Sequence, residues 1–245
     1  MKRIPSTPMP TRSSRSSGSP ERALLFLALL LPATAGAAGR ETSLYPDRPV
    51  DFSLYVETAS IDIDYGDRRV DTSVDRIGFV WRERFGERLQ LGLFGGYAFL
   101  TQGNNPPTAG RELDGWHAGV SFDLDLFTTA RFNVFAGAAW VYQEVEEENN
   151  GEVVEISWNE PNARFGVRAR VGGPVHGYAG VRYARLNGEQ RRRGGGTHET
   201  RKLDETESTG AFVGLEIDLD GEGYVGISAE SGFDRRVGLY FGRRF

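Results

Sequence analysis

Hydrolytic chemistry would need a nucleophile beside a base, and His117 and Ser121 are the residue types that could supply them. Both lie on one face of a segment in which apolar and polar residues alternate, which predicts a β-strand. Residues four apart on a strand are about 13 Å apart, too far for a nucleophile–base hydrogen bond. The other histidines, His176 and His198, are predicted to lie in a turn and a loop. We therefore expect no enzymatic activity and interpret His117 as a polar filler.

Two further motifs resemble ligand sites but lack the usual context. Residues 221–226 match G-x-G-x-x-G, yet they are predicted to open a strand with no helix following, so a nucleotide site is not expected. Asp218, Asp220 and Glu222 are acidic like a calcium loop but lack its twelve-residue spacing. The chain has no cysteine, which excludes disulfides and thiolate metal sites. We predict no cofactor and no metal.

Two polar segments contain runs of charged residues. Each run either binds a ligand or is simply solvated. Arg191, Arg192 and Arg193 could contact lipopolysaccharide phosphates, or they could be solvated and balanced by acids such as Asp204. The acidic run at 144–148 could gather divalent cations weakly, or it could be solvated. The sequence leaves both alternatives open.

The elements that must position these residues are short strands. Alternation of apolar and polar residues predicts ten of them between Asp51 and Phe245, most long enough to cross a bilayer at a tilt. In the first strand the apolar face changes at 58–61, which indicates either a bulge or emergence from the membrane. Short turns at Gly86, Thr129, Gly173 and Gly221 alternate with long polar loops predicted at Gln102–Arg111, Glu144–Ser157 and Asn187–Ser208.

The N-terminus has the pattern of a secretory signal peptide. A basic region at 1–22 precedes an apolar stretch at 23–31, and Ala35-Gly36-Ala37 fits a cleavage site. The apolar stretch is too short to cross a membrane as a helix. We predict a cleaved signal peptide at 1–37, a periplasmic lead-in at 38–50 and export to the outer membrane.

Charge and hydropathy narrow the class of protein. The net charge is −5, and losing residues 1–37, with five basic residues and one acidic residue, takes it to −9, which disfavours nucleic acid as a partner. A membrane protein without long apolar runs must be a barrel. We predict an all-β, transmembrane, antiparallel up-and-down β-barrel at 51–245 with ten strands; eight strands is the alternative. A soluble β-sandwich explains the signal peptide and the loop pattern less well.

Charged residues on the inward face of the predicted strands form the candidate site. They alternate in sign between even-numbered strands, and in a narrow lumen such charges must be paired. We predict a charge network across the lower lumen made of Arg82, Asp123, Asp125, Arg168, Arg170, Glu216 and Asp218. This network either plugs the barrel or forms a constriction that selects ions or small solutes.

The last strand carries a family resemblance. Residues 238–245, with the sequence Gly-Leu-Tyr-Phe-Gly-Arg-Arg-Phe, follow the dyad-repeat strands, and the pattern resembles small Gram-negative outer-membrane β-barrels of the OmpA/OmpX-like or opacity-porin-like superfamily. The resemblance implies an assembly signal at Phe241 and Phe245, recognised by the barrel assembly machinery. It also implies contact with outer-membrane lipid and lipopolysaccharide. Arg243 replaces the family's usual apolar residue and can extend toward the head groups.

Three functions follow from this sequence. The leading prediction is an integral outer-membrane barrel with a structural or surface-interaction role and a lumen plugged by the charge network. The first alternative is a small ion or solute pore. A lipid-modifying outer-membrane hydrolase built around His117 or a loop residue is the third. The sequence does not specify an extracellular partner.

Overall fold

A computed structural model describes residues 48–194, 196–205, 208–232 and 234–245. The predicted signal peptide at 1–37, and the lead-in up to residue 47, lie outside the described residues. Twelve antiparallel strands are present in this part of the chain: β1 Val50–Asp64, β2 Arg69–Phe85, β3 Leu89–Gln102, β4 Glu112–Thr128, β5 Phe132–Asn149, β6 Glu152–Gly172, β7 Val175–Ala184, β8 Asn187–Gly194, β9 Thr197–Glu205, β10 Thr209–Asp218, β11 Gly223–Ser231 and β12 Asp234–Arg244.

Ten of these strands form a closed ring. The order runs from β1 to β7, continues through β10 and β11 to β12, and closes where β12 pairs with β1. In the closing pair Leu54 lies opposite Phe241, and the backbone N–H of Phe245 donates to Val50 at 2.7 Å. Arg48 and Phe245 lie at the same end, here called the lower end. The predicted ten-stranded barrel is confirmed.

The remaining two strands form a hairpin at the upper end. β8 pairs with the first part of β6, from Glu152 to Asn159, and β9 pairs with the end of β1 at Ile63 and Asp64. β7, β10, β11 and β12 end below this hairpin. Eight strands therefore surround the upper lumen and ten surround the lower lumen.

Two of the three predicted long loops are wrong. Residues 144–157 belong to β5 and β6, which are joined by a tight turn with positive φ at Asn150 (55°) and Gly151 (75°), typical of a type I′ hairpin. Most of the predicted loop at 187–208 is the β8–β9 hairpin. The outward residues of both segments are mostly polar, so the sequence resembles that of a loop. The segments are nevertheless paired as strands, and many of their inward residues are buried. The predicted loop at 102–111 is present.

The apolar face of the strands changes sides between the two halves of the barrel. The register of β1 with β2 runs without a break from Val50 to Asp64, so the predicted bulge is absent from this strand. Leu54 faces outward, whereas Ile61 and Ile63 face inward and are fully buried. The change therefore marks the emergence of β1 from the membrane. Sixteen inward side chains form the upper core: Ala59, Ile61, Ile63, Tyr65, Val70, Val74, Ala98, Leu100, Leu113, Val145, Val154, Ile156, Trp158, Ala184, Leu186 and Leu203.

The outer face of the lower barrel is apolar and exposed. Large apolar residues recur at every second position, and aromatic residues at the upper edge of this band resemble an interfacial girdle, namely Tyr97, Phe99, Trp116, Trp140 and Tyr183. This band is where hydrocarbon would contact the protein. Within the described ranges, the chain has no helix of the length and hydropathy that a membrane crossing requires.

Candidate functional site in the barrel lumen

Polar side chains lie above the upper core, at the upper end of the lumen. The segment between β3 and β4 folds inward, so that Asn105 and Thr108 are buried. Both donate to Gln102, at 2.6 and 2.9 Å, while the Gln102 amide donates to the Tyr65 hydroxyl at 2.8 Å. Burial raises the pKa of Tyr65 to about 12. The loop is thus fixed to the barrel interior.

A layer of buried charges lies directly below the upper core. We call it the charge layer, and it consists of Glu57, Arg76, Glu160, Arg182, Glu230, Asp234 and Arg236. Arg182 contacts Glu160 and lies 2.7 Å from Glu230 and 2.9 Å from Asp234. Each buried arginine has carboxylate partners, as a low dielectric requires.

Aromatic rings cover glycines along the lower wall of the lumen. A Cβ added at Gly214 would lie 2.1 Å from the ring of Tyr178, and one at Gly226 would lie 2.2 Å from the ring of Tyr240. Such glycines leave space that lets a ring on the neighbouring strand lie over the wall. The lower lumen therefore keeps a cavity of about 310 Å³.

The predicted charge residues lie inside the lower lumen or at its rim, and the structure gives most of them partners from outside the predicted set. Asp123 accepts two hydrogen bonds from Arg164 Nη2, at 2.8 and 2.6 Å. The other predicted residues are placed as follows: Arg82 is 3.9 Å from Asp51, Asp125 is 3.8 Å from Arg84, Arg168 lies over the Phe135 ring at 5.2 Å, Arg170 is exposed, Glu216 contacts Arg244, and Asp218 is 2.8 Å from Arg244. A joint plugging role for these seven residues stays a prediction.

The lower rim holds the end of β12 in place. Arg244 contacts Glu216 and Asp218 and stacks on the Tyr224 ring at 4.2 Å. The Tyr224 hydroxyl donates to Asp51 on β1 at 2.5 Å. Phe241 and Phe245, the predicted assembly signal, are 56% and 62% exposed on the lipid-facing side.

The three histidines lie on three different strands, β4, β7 and β9. His117 is buried in the lumen and its Nε2 is hydrogen-bonded to the Tyr55 hydroxyl. His176, predicted to lie in a turn, is a buried residue of β7 whose Nε2 is 2.9 Å from Asp218. His198, predicted to lie in a loop, belongs to β9 and is exposed.

The arginine run is part of the upper barrel wall. Arg192 donates to Glu152 at 2.6 and 2.8 Å, and Arg191 and Arg193 lie 3.2 and 3.1 Å from Glu155. The hydrogen bonds from Arg192 lower the pKa of Glu152. Glu152 and Glu155 of β6 and Glu189 of β8 therefore pair with these arginines.

The charge layer and the role of Arg244 were not predicted from the sequence. The signal was available in the same alternation: Glu57, Arg76 and Arg236 have the inward parity of their strands. Glu160 lies within β6, and Asp234 is the first residue of β12. The alternation along a strand shows that a charged residue faces inward, but not where along the barrel axis it lies.

Some solved structures resemble this chain at low sequence identity. No family model and no curated protein matches the chain. Similar solved structures include the translocator domain of the autotransporter NalP from Neisseria meningitidis (10% identity, 92% of this chain and 94% of that one, TM-score 0.49). Others are the outer membrane protein OprG from Pseudomonas aeruginosa (11%, 83% and 99%, 0.46) and the outer membrane protease OmpT from Escherichia coli (9%, 82% and 97%, 0.46).

The class follows from the chain's own geometry: a closed antiparallel ring of ten strands, an exposed apolar band and an aromatic edge. The protein is an outer-membrane β-barrel. Barrels of this class have their short turns in the periplasm, so we expect the lower end to be periplasmic and the upper barrel to be extracellular.

Proposed function

We propose that this protein is a non-catalytic outer-membrane barrel with a closed lumen and a structural or surface-interaction role. The observation that carries the proposal is the upper core, whose sixteen side chains are at most 8% exposed inside the eight-stranded part of the lumen. Leu100, Leu113 and Trp158 are essentially inaccessible to solvent. A packed apolar interior leaves ions and solutes no hydrated path.

The proposed plug differs from the one predicted from sequence. The charges at Asp123 and Arg168 line the periplasmic cavity, which lies beneath the charge layer. Closure would then depend on the extracellular core, with the charge layer as a second barrier. Removing a charge from the cavity wall would change the local field without opening the barrel.

Liposome swelling tests this proposal against the pore alternative. Liposomes that contain the wild type, Asp123→Asn or Arg168→Gln should swell in a small sugar no faster than protein-free liposomes, while a general porin serves as the positive control. If the wild type admits the sugar, or if either variant accelerates entry, the charged-constriction alternative replaces the closed barrel.

We propose that extracellular partners contact a folded wall rather than mobile loops. Residues 144–157 are paired on both sides, by β5–β6 contacts and by the hairpin with its Arg191–Glu155 ion pair. Proteolysis of the protein in lipid nanodiscs should therefore spare 144–157. Rapid cleavage within this segment would contradict a folded wall. Lipopolysaccharide remains a proposed neighbour, because Arg193 is half exposed.

Two further parts of the proposal concern catalysis and export. The engagement of His117 by Tyr55 supports a non-catalytic lumen, and expression should leave the lipid A mass spectrum unchanged. A new lipid A species that depends on His117 would revive the hydrolase alternative. For export, we propose cleavage after residue 37. Intact-mass measurement of the protein from outer membranes tests this, and a retained 1–37 segment would contradict it.

A further inference from the structure

The cavity below the charge layer has the size and position of a binding chamber. Its volume is about 310 Å³, and its lining extends from Arg84 and Arg244 at the periplasmic rim to Arg76 and Arg236 in the charge layer. The upper core lies beyond the charge layer, so a molecule could enter from the periplasm but could not leave at the cell surface. Pockets for small ligands begin at about 300 Å³.

The wall of this cavity is partly aromatic. Phe135, Tyr178, Phe212 and Tyr240 line it, and their rings lie over glycines or pack against one another. Phe135 and Phe212 are only 4% and 7% exposed, so the partly exposed Tyr178 and Tyr240 supply the accessible ring surface. The centroids of Phe135 and Phe212 are 6.2 Å apart, and those of Tyr178 and Phe212 are 6.3 Å apart. Such a wall favours a planar apolar body over a sugar or an inorganic ion.

Guanidinium groups are interleaved with these rings. Arg168 and Arg164 lie 5.2 and 5.9 Å from the Phe135 centroid, and both line the cavity. The positive charges and the aromatic faces thus occupy the same part of the wall. A planar molecule on the tyrosine rings would have its acidic substituent in a lining where arginines outnumber carboxylates, with Arg164 itself already in contact with Asp123.

One buried donor at the top of the cavity lacks an acceptor. Arg76 lines the cavity, its side chain is 3% exposed, and it donates through Nη1 to Glu57 and through Nε to Gln143. Its Nη2 has no hydrogen-bond partner among the described residues. A buried donor without a partner is costly, so an acceptor oxygen delivered from the cavity would stabilise this site.

We propose that the lumen binds a small planar aromatic anion, a carboxylate or a phosphate ester, that enters from the periplasm. Its ring packs on the aromatic wall and its acidic oxygens accept hydrogen bonds from the arginines. This inference goes beyond the closed lumen, because a barrel can be closed to solutes and yet have no ligand. It assigns the protein a periplasmic capture site as well as an extracellular surface.

Fluorine NMR with two probes of opposite charge tests this inference on the full mature chain in lipid nanodiscs. 4-Fluorobenzoate and 4-fluorobenzamidine share a ring and differ in the sign of the charge. We expect saturable binding of 4-fluorobenzoate, and affinity for 4-fluorobenzamidine that is weaker by roughly tenfold or more. Equal affinities, or saturation by neither probe, would overturn the proposal and leave a water-filled cavity.

A matched pair of neighbouring alanines locates the binding. Ala139 lines the cavity, whereas Ala138 is exposed on the lipid-facing side of the same strand. Ala139→Trp should reduce 4-fluorobenzoate affinity by roughly tenfold or more, while Ala138→Trp leaves it unchanged. The heat-modifiable gel mobility of both variants confirms that each barrel has folded. If folded Ala139→Trp binds like the wild type, the site lies elsewhere and the inference fails.

Discussion

The upper core can be tested by truncating one side chain on each side of the same strand. Leu100 is fully buried in the upper core, whereas Leu93 on β3 is 53% exposed to lipid. Leu100→Ala should destabilise the protein by about 2–5 kcal/mol, because it removes buried surface and leaves a cavity. Leu93→Ala loses a similar free energy of transfer from water, but lipid acyl chains can occupy the space that the side chain leaves. We therefore expect Leu100→Ala to cost about 1–2 kcal/mol more.

Equilibrium urea unfolding of the lipid-reconstituted protein, followed by tryptophan fluorescence, measures this difference. The comparison is internal, since both variants share the strand, the lipid and the unfolded chain. Equal destabilisation by the two substitutions would mean that the extracellular lumen is not a packed core. A smaller effect of Leu100→Ala would refute the closure argument directly.

Three other changes have defined outcomes. Gly214→Ala places a Cβ 2.1 Å from a tyrosine ring and should lower the urea midpoint of unfolding; an unchanged midpoint would show that the ring moves freely. Deletion of Phe245 should lower the outer-membrane yield more than Arg243→Tyr does, and equal yields would remove the assembly signal. Arg192 lowers the pKa of Glu152. The stability from this pair is thus present above the unfolded pKa of Glu152 and is lost as pH falls through the lower folded value; carboxyl NMR titration of wild type and Arg192→Gln checks this.

The lipid-facing half of the fold follows directly from the sequence. In β3 every second residue must be apolar to contact hydrocarbon, so Leu91 and Leu93 mark the strand and its outward face together. Closure was also predictable, because the apolar registers of β1 and β12 agree. These elements are determined by local alternation, which is visible without tertiary contacts.

The extracellular half was harder to predict, because there the apolar residues face inward and the polar residues face outward. Ile156 and Trp158 face inward while Glu155 faces outward, as in a water-soluble barrel. A segment rich in acids thus resembles a loop. The Asn150-Gly151 turn was the available signal for a hairpin.

Ion-pair partners could not be predicted from parity. Asp123 pairs with Arg164 two strands away, because both lie directly opposite Gly137 of β5, which has no side chain to separate them. The sequence placed Asp123 on the inward face, yet its partner depends on the register of three strands. The aromatic–glycine wall depends on strand register in the same way.

Conductance in planar bilayers tests the closed lumen most directly, with the β8–β9 hairpin as the built-in control. The wild type should show no steady conductance steps. Replacing residues 187–205 by a short glycine linker removes two walls of the upper barrel but keeps the ten-stranded ring, and this variant should conduct. Steady conductance by the wild type, at the level of the hairpin deletion, would contradict the closed barrel.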